Sequence, residues 1–172
     1  MLFRSNTSGT LNAALNARRA DGTALELHLS THLPADLWVV EVRRPLENAT
    51  APFFDARAGE VLALPGGAQA ILHTAYHRDL RSDQFLPTRL WIATLHLPLP
   101  LHDYLAEYGF PIRYSYVRES WPIEYYQTVY ATEAGSAEMP SAGRAFTPEL
   151  ITRLVARGVQ IAPLLLDRKS VV

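Results

Sequence analysis

The sequence predicts a mixed α+β protein: a small antiparallel β-barrel followed by part of an α/β domain. Three observations carry this. Short runs of alternating apolar and polar residues fill the first half of the chain, separated by Gly, Pro and Asp turn signals. The character changes after Pro98, where aromatic, Pro-bounded segments replace the alternation. Finally, Thr147 to Leu166 reads as a capped amphipathic helix feeding an apolar strand. The division falls near residue 98: a barrel-like module over 1–97, whose first strand is shared with the α/β part, and a partial α/β module over 98–172.

The elements follow in order. Ala24-Leu25-Glu26-Leu27-His28-Leu29 alternates as a half-buried antiparallel strand does, and Asp21-Gly22 before it is a hairpin signal. Leu37 to Val42, Glu60 to Leu64, Ala68 to Tyr76 and Arg89 to Leu95 are further strands, with Glu60 to Leu64 closed by Pro65-Gly66-Gly67. Residues 44–57 read as an irregular loop with one short strand, and 77–87 as a polar loop. Leu99 to Tyr108 places Leu101, Tyr104, Leu105 and Tyr108 on one helix face, with Gly109 as its stop. Pro122 to Tyr130 is a candidate short helix. Thr147 is a good N-cap, Pro148 suits the first helical position, and Glu149 places negative charge in the first turn. Leu150, Ile151, Leu154 and Val155 form the apolar stripe of a helix over 148–157, which Gly158 ends. Residues 159–166 are apolar enough for a buried strand.

Composition narrows the function classes. A chain of 172 residues with 48% apolar and 19% charged residues buries a globular core. A net charge of −1 gives no bulk attraction for nucleic acid, so any RNA contact needs a local patch. Without cysteine there is no disulfide and no thiolate nucleophile or metal ligand, which fits a cytoplasmic protein. No apolar run is long enough to span a bilayer, and no signal-peptide core is visible, so no membrane partner is expected. The six histidines lack the tight spacing of a metal site, and no metal is predicted. Phosphate-binding Gly-rich motifs and a Gly-x-Ser-x-Gly elbow are absent. No interface signature stands out, and the expectation is a monomer.

The segment Tyr126-Gln127-Thr128-Val129-Tyr130-Ala131, followed by Gly135 to Leu150 with its Pro140-Ser141-Ala142-Gly143-Arg144-Ala145-Phe146 loop, resembles the signature of the S-adenosylmethionine:tRNA ribosyltransferase-isomerases of queuosine biosynthesis. That family has a Tyr-Gln-Thr-Val-Tyr run, a Pro-Thr-Ala-Gly-Leu-His-Phe loop and a helix ending in Arg-Gly-Val. Leu97-Pro98-Leu99-Pro100 is similar to its Pro-Leu-Pro-Pro turn, and Asn6-Thr7-Ser8 with Leu11 and Leu15 to its first strand. The resemblance implies a β-barrel domain inserted into a larger α/β domain. It also implies that Asp167 to Val172 stands where the family continues with another segment, so the chain reads as a divergent member that is either a fragment or a chain whose ends are not native.

Each candidate residue has a functional and a plain reading. The loop with Ser141, Gly143, Arg144 and Phe146 is by itself an ordinary helix lead-in; the resemblance implies that it receives an anionic or ribose-bearing ligand. Gln127 and Thr128 either orient that ligand or make local backbone bonds. The aromatic cluster of Phe110, Tyr114, Tyr116, Trp121, Tyr125, Tyr126 and Tyr130 contains Arg113 and Arg118. Arg113, Arg118 and Tyr126 are the RNA-binding candidates, because rings interleaved with Arg stack nucleobases. Glu107, Glu119 and Glu124 offset that charge, and a satellite hydrophobic cluster is the better reading from the residues alone. Glu26, with His28 on the same strand face, is either a carboxylate beside a ribose or part of a solvated face; the residues favour the latter.

The resemblance implies transfer and isomerisation of the ribosyl group of S-adenosylmethionine onto 7-aminomethyl-7-deazaguanine in tRNA. Epoxyqueuosine forms at the wobble position, with adenine and methionine released. S-adenosylmethionine is then a consumed co-substrate, tRNA the partner, and no resident cofactor is needed. Departures favour a second reading, a non-catalytic RNA- or nucleotide-binding paralogue or an inactive fragment. The family's loop His is Ala145 and its Leu is Arg144, while two strand Arg fall near Gly9 and Ala14. An alanine cannot move a proton.

Overall fold

The computed structural model describes residues 7–47, 49–76, 88–113, 119 and 121–161. Six antiparallel strands close into a barrel: β2 (Ala14–Arg18), β3 (Ala24–Leu33), β4 (Leu37–Pro45), β6 (Val61–Ala63), β7 (Gln69–Ala75) and β8 (Leu90–His96). Around the barrel the order is β3-β2-β6-β7-β8-β4, and β4 returns to β3. The short β5 (Thr50–Pro52) adds to β4 outside the ring. All five strands expected in the barrel-like module are present, and the one short strand foreseen within 44–57 is β5. Three strands lacked a distinct signal: β2, β1 (Ser8–Thr10) and β9 (Glu133–Ser136).

The alternation decides which face is inside. Leu25, Leu27 and Leu29 point into the barrel with Leu15, Val40, Val42, Leu62 and Leu72. Each such leucine contributes about 1.5–3 kcal/mol relative to leaving it in water. Bulges between Leu29 and Thr31, and between Leu72 and Thr74, add the bend that closing so few strands requires. The β2–β3 hairpin turns at Asp21-Gly22, where Gly22 adopts φ +86°. The Asp21 carboxylate accepts from the Thr23 N–H at 2.9 Å.

Helix α1 (Leu101–Tyr108) plugs one end of the barrel. It begins two residues later than the periodicity predicts, because a residue preceding proline avoids the helical region and Pro100 follows Leu99. Tyr104 and Leu105 join the barrel core. The Tyr104 hydroxyl donates to the Pro65 carbonyl at 2.7 Å, and burial raises its pKa to about 12. Gly109 ends the helix where a Cβ would stand 2.4 Å from the Asn12 carbonyl oxygen.

Beyond α1, Phe110 bridges to Ala14 on the barrel. A single 3-10 turn, Ile123–Tyr126, stands where a longer helix to Tyr130 was expected. The Tyr125 and Gln127 N–H groups donate to the Pro122 and Glu124 carbonyls, and the Gln127 backbone is already extended. Strand β9 (Glu133–Ser136) pairs in parallel with β1, so the chain's first strand sits with its C-terminal part. Helix α2 (Pro148–Ala156) forms as its caps dictate: Thr147 Oγ1 accepts from Leu150 N–H, and Gly158, at φ +84°, closes a Schellman motif. The strand expected from Val159 does not form over the described residues 159–161, which are exposed. Val159 N–H instead turns back to the Leu154 carbonyl. Residues 162–166 lie outside the described residues.

Candidate functional site

The sequence candidates gather in three places. The first is a cleft of about 200 Å³ on the outer face of the barrel, lined by Glu26, Thr50, Phe110, Arg113, Trp121 and Tyr126. It arises because Phe110 is pinned to Ala14 and the 3-10 turn places Tyr126 against β3. Glu26 and His28 are therefore not on a solvated strand face, as the residues alone favoured. Their side chains are 16% and 8% exposed, and His28 Nε2 lies 3.0 Å from Glu26 Oε2. Arg43, opposite Glu26 in register, turns away: its guanidinium donates to Glu41 and, through Nη2, to the Thr50 carbonyl at 2.9 Å. Arg118 lies outside the described residues, as do Tyr114 and Tyr116. Trp121 and Tyr125 pack ring to ring at 5.1 Å with both rings largely exposed, while Tyr126 is buried.

The second place is β1. Gln127 spends both ends of its amide on one residue: Oε1 accepts from Thr10 N–H at 2.8 Å, and Nε2 donates to the Thr10 carbonyl at 2.9 Å. Thr10 Oγ1 in turn donates to the Tyr126 carbonyl at 2.8 Å. The Gln127 side chain thus acts as a one-residue strand on the edge of β1 opposite β9. Thr10, buried at 5%, was missed by the sequence reading, since one more hydroxyl residue beside Thr7, Ser8 and Asn12 gives no signal. Thr128 Oγ1 differs: it is buried and has no hydrogen-bond partner among the described residues.

The third place is the loop before α2. Ser141–Gly143 forms a 3-10 turn with Gly143 buried and Ser141 and Arg144 exposed. Most of its backbone N–H groups are already used: Ser141 donates to Met139, Gly143 to Pro140, Arg144 to Ser141 and Phe146 to Gly143. At the start of α2, Thr147 and the Glu149 carboxylate occupy the positive end of the helix. Hydrogen bonds to its own N–H and to Thr147 hold the Glu149 carboxyl below its ordinary range. What this loop offers a ligand is therefore its side chains, Ser141 and Arg144, more than a nest of free amides. Phe146 stacks obliquely on Tyr130 at 5.5 Å, and burial raises the Tyr130 pKa. None of the described residues of this turn lines the cleft.

Among the described residues, no three His, Asp or Glu side chains converge on a point that could hold a metal ion. Among them too, no helix is long and apolar enough to cross a membrane.

A family model described as queuosine biosynthesis protein matches residues 1–169. The chain belongs to the queuosine biosynthesis protein family. Proteins named S-adenosylmethionine:tRNA ribosyltransferase-isomerase are its relatives. The one from Thermotoga maritima is 32% identical over 163 residues, covering 94% of this chain and 42% of that protein. The one from Acidithiobacillus ferrooxidans is 33% identical over 159 residues, 90% of this chain and 40% of its own length. The one from Thermus thermophilus is 29% identical over 160 residues. The chain thus spans about two-fifths of the length of these relatives. No solved structure matches it. Against the family signature, Ala145 is exposed where the family's loop histidine would stand, so no packing demand explains the alanine. Ala14, near one of the family's strand arginines, is fully buried between His28 and the Phe110 bridge.

Proposed function

We propose that this chain carries part of the site of an S-adenosylmethionine:tRNA ribosyltransferase-isomerase. The ribosyl group of S-adenosylmethionine is transferred and isomerised onto 7-aminomethyl-7-deazaguanine in tRNA, giving epoxyqueuosine with release of adenine and methionine. The observation that carries this reading is the continuity of the likeness: identity to the ribosyltransferase-isomerases runs over 163 residues, through barrel and C-terminal segment alike. In this reading Ser141 and Arg144 hold ribose hydroxyls or the methionine carboxylate, and the buried Gly143 sets the turn that presents them. Phe146, stacked on Tyr130, gives the loop an apolar wall. Thr128 offers its unpartnered hydroxyl to the co-substrate, while Gln127 positions β1 rather than touching it. Arg113 and Tyr126 contact the RNA in this reading, and Arg118, outside the described residues, is a further candidate by sequence. S-adenosylmethionine is consumed, so no resident cofactor or metal is required, and the setting is a cytoplasmic monomer acting on tRNA.

Ala145 favours a second reading, a paralogue that binds RNA or a nucleotide without turnover. The two are separated by Ala145→His in an adenine-release assay with precursor-modified tRNA. A rise of about 10²-fold or more, the usual contribution of a positioned acid or base, supports an enzyme weakened at one position. Binding with no adenine release from either form supports the non-catalytic reading.

A further inference from the structure

The cleft on the barrel's outer face has a chemistry of its own. Its walls are aromatic: Phe110, Trp121 and Tyr126. On its lining stands one carboxylate, Glu26, whose orientation is fixed from behind by a buried histidine. The carboxylate accepts, so the proton of His28 sits on Nε2 and points at Glu26 Oε2, 3.0 Å away. Arg43, opposite it in register, is instead engaged by Glu41 and by both the hydroxyl and the carbonyl of Thr50, and Arg113 stands on the lining of the same cleft. About 200 Å³ suits one bicyclic ring system, below the ~300–1,000 Å³ typical of drug-sized ligand sites. A flat ring between aromatic faces, meeting an acceptor-only group at its edge, must present N–H donors there. Among the nucleobases, guanine has two adjacent donors on its pairing edge, N1–H and the 2-amino group; adenine presents an acceptor at N1.

We propose that this cleft is a pocket for a single unpaired guanine-type base, read through its N1–H and 2-amino edge by Glu26, with His28 as the positioning residue and Trp121 as the stacking face. The inference rests on the reading that the chain acts on a deazaguanine in RNA, and it adds where that base sits and what selects it. Extrusion of a base into an aromatic pocket with edge recognition is the general route by which proteins reach a base for chemistry.

The test is calorimetric titration of the full chain with 7-deazaguanine, 7-aminomethyl-7-deazaguanine and 7-deazaadenine. The two guanine-type bases are expected to bind with similar affinity, and 7-deazaadenine at least about tenfold more weakly. Glu26→Gln is expected to weaken guanine-type binding about 10- to 100-fold and to collapse the discrimination against 7-deazaadenine. Trp121→Ala, at a side chain 45% exposed and thus harmless to folding, weakens all three bases together, by about 5-fold or more. His28→Leu reduces the discrimination, and His28→Gln, which keeps a donor toward Glu26, restores it. A purely structural role for His28 would lower all affinities equally. Equal affinity for the guanine and adenine analogues, binding that requires the aminomethyl group, or no binding of any base overturns the proposal. S-adenosylmethionine is titrated separately. If it fails to bind while base discrimination holds, the ribosyl-transfer reading falls and the base pocket stands; the opposite pattern removes the pocket and leaves that reading.

Discussion

Replacing Gln127 by leucine separates a positioning role from a ligand-binding one. The side chain makes two hydrogen bonds to the backbone of Thr10, at 2.8 and 2.9 Å, and Thr10 is 5% exposed. Leucine keeps the approximate volume and removes both partners. Each bond contributes about 0.5–1.5 kcal/mol net, and a buried N–H or C=O left unpaired costs about 1–3 kcal/mol. Water reaches the half-buried Gln127 side, so the lower part of that range applies, and the expected loss is about 2–3 kcal/mol. For a chain of this size that lowers the melting temperature by about 4–12 °C. Urea unfolding followed by circular dichroism reads the loss directly, and amide exchange at residues 8–11 should rise before that of the barrel strands. Gln127→Glu keeps the acceptor for Thr10 N–H but sets a carboxylate oxygen against the Thr10 carbonyl, so it should cost at least as much. The reasoning is refuted if Gln127→Leu melts within about 1 °C of wild type while affinity for S-adenosylmethionine falls tenfold.

Two further predictions concern the plugged end of the barrel. The Tyr104 phenol titrates near 12 when folded against 10.0 ordinarily, so the folded state holds its proton more tightly. Its contribution is complete below pH 10 and is lost as the pH rises from 10 to 12, about 3 kcal/mol in all. Tyr104→Phe should lose about 1 kcal/mol at neutral pH, from the bond to Pro65, and should show a shallower alkaline decline; parallel declines of the two proteins over pH 10–12 would rule this out. Gly109→Ala places a methyl group 2.4 Å from the Asn12 carbonyl oxygen and 2.6 Å from that of Leu105, both backbone atoms that cannot swing aside. It should destabilise by about 1–3 kcal/mol or more, and an unchanged urea midpoint would mean that α1 does not pack there as described.

The barrel was legible because Leu25, Leu27 and Leu29 alternate with Glu26 and His28, and a period of two has one structural solution. Helix α2 was legible for a local reason, since Thr147, Pro148 and Gly158 each act within a few residues of themselves. What the sequence hid is non-local. The pairing of β1 with β9 joins residues about 125 positions apart, and nothing in Ser8-Gly9-Thr10 names its partner. The clamp of Gln127 on Thr10 spans 117 positions. Glu26 looked solvated because its strand neighbours give no hint that Phe110 and Tyr126 cover that face. The loop signature over 140–146 was legible only through family resemblance; by physics alone it is a tight turn that satisfies its own amides.

In the proposed reading, this chain retains recognition of S-adenosylmethionine through Thr128, Ser141 and Arg144. The direct measurement is calorimetric titration of the folded chain with S-adenosylmethionine, alongside Thr128→Val and Arg144→Ala. The account predicts saturable one-to-one binding, weakened about fivefold or more by either substitution, as expected for loss of one hydrogen bond or one charged contact. A chain that is folded by circular dichroism and takes up no S-adenosylmethionine, or one whose binding ignores both substitutions, would contradict it.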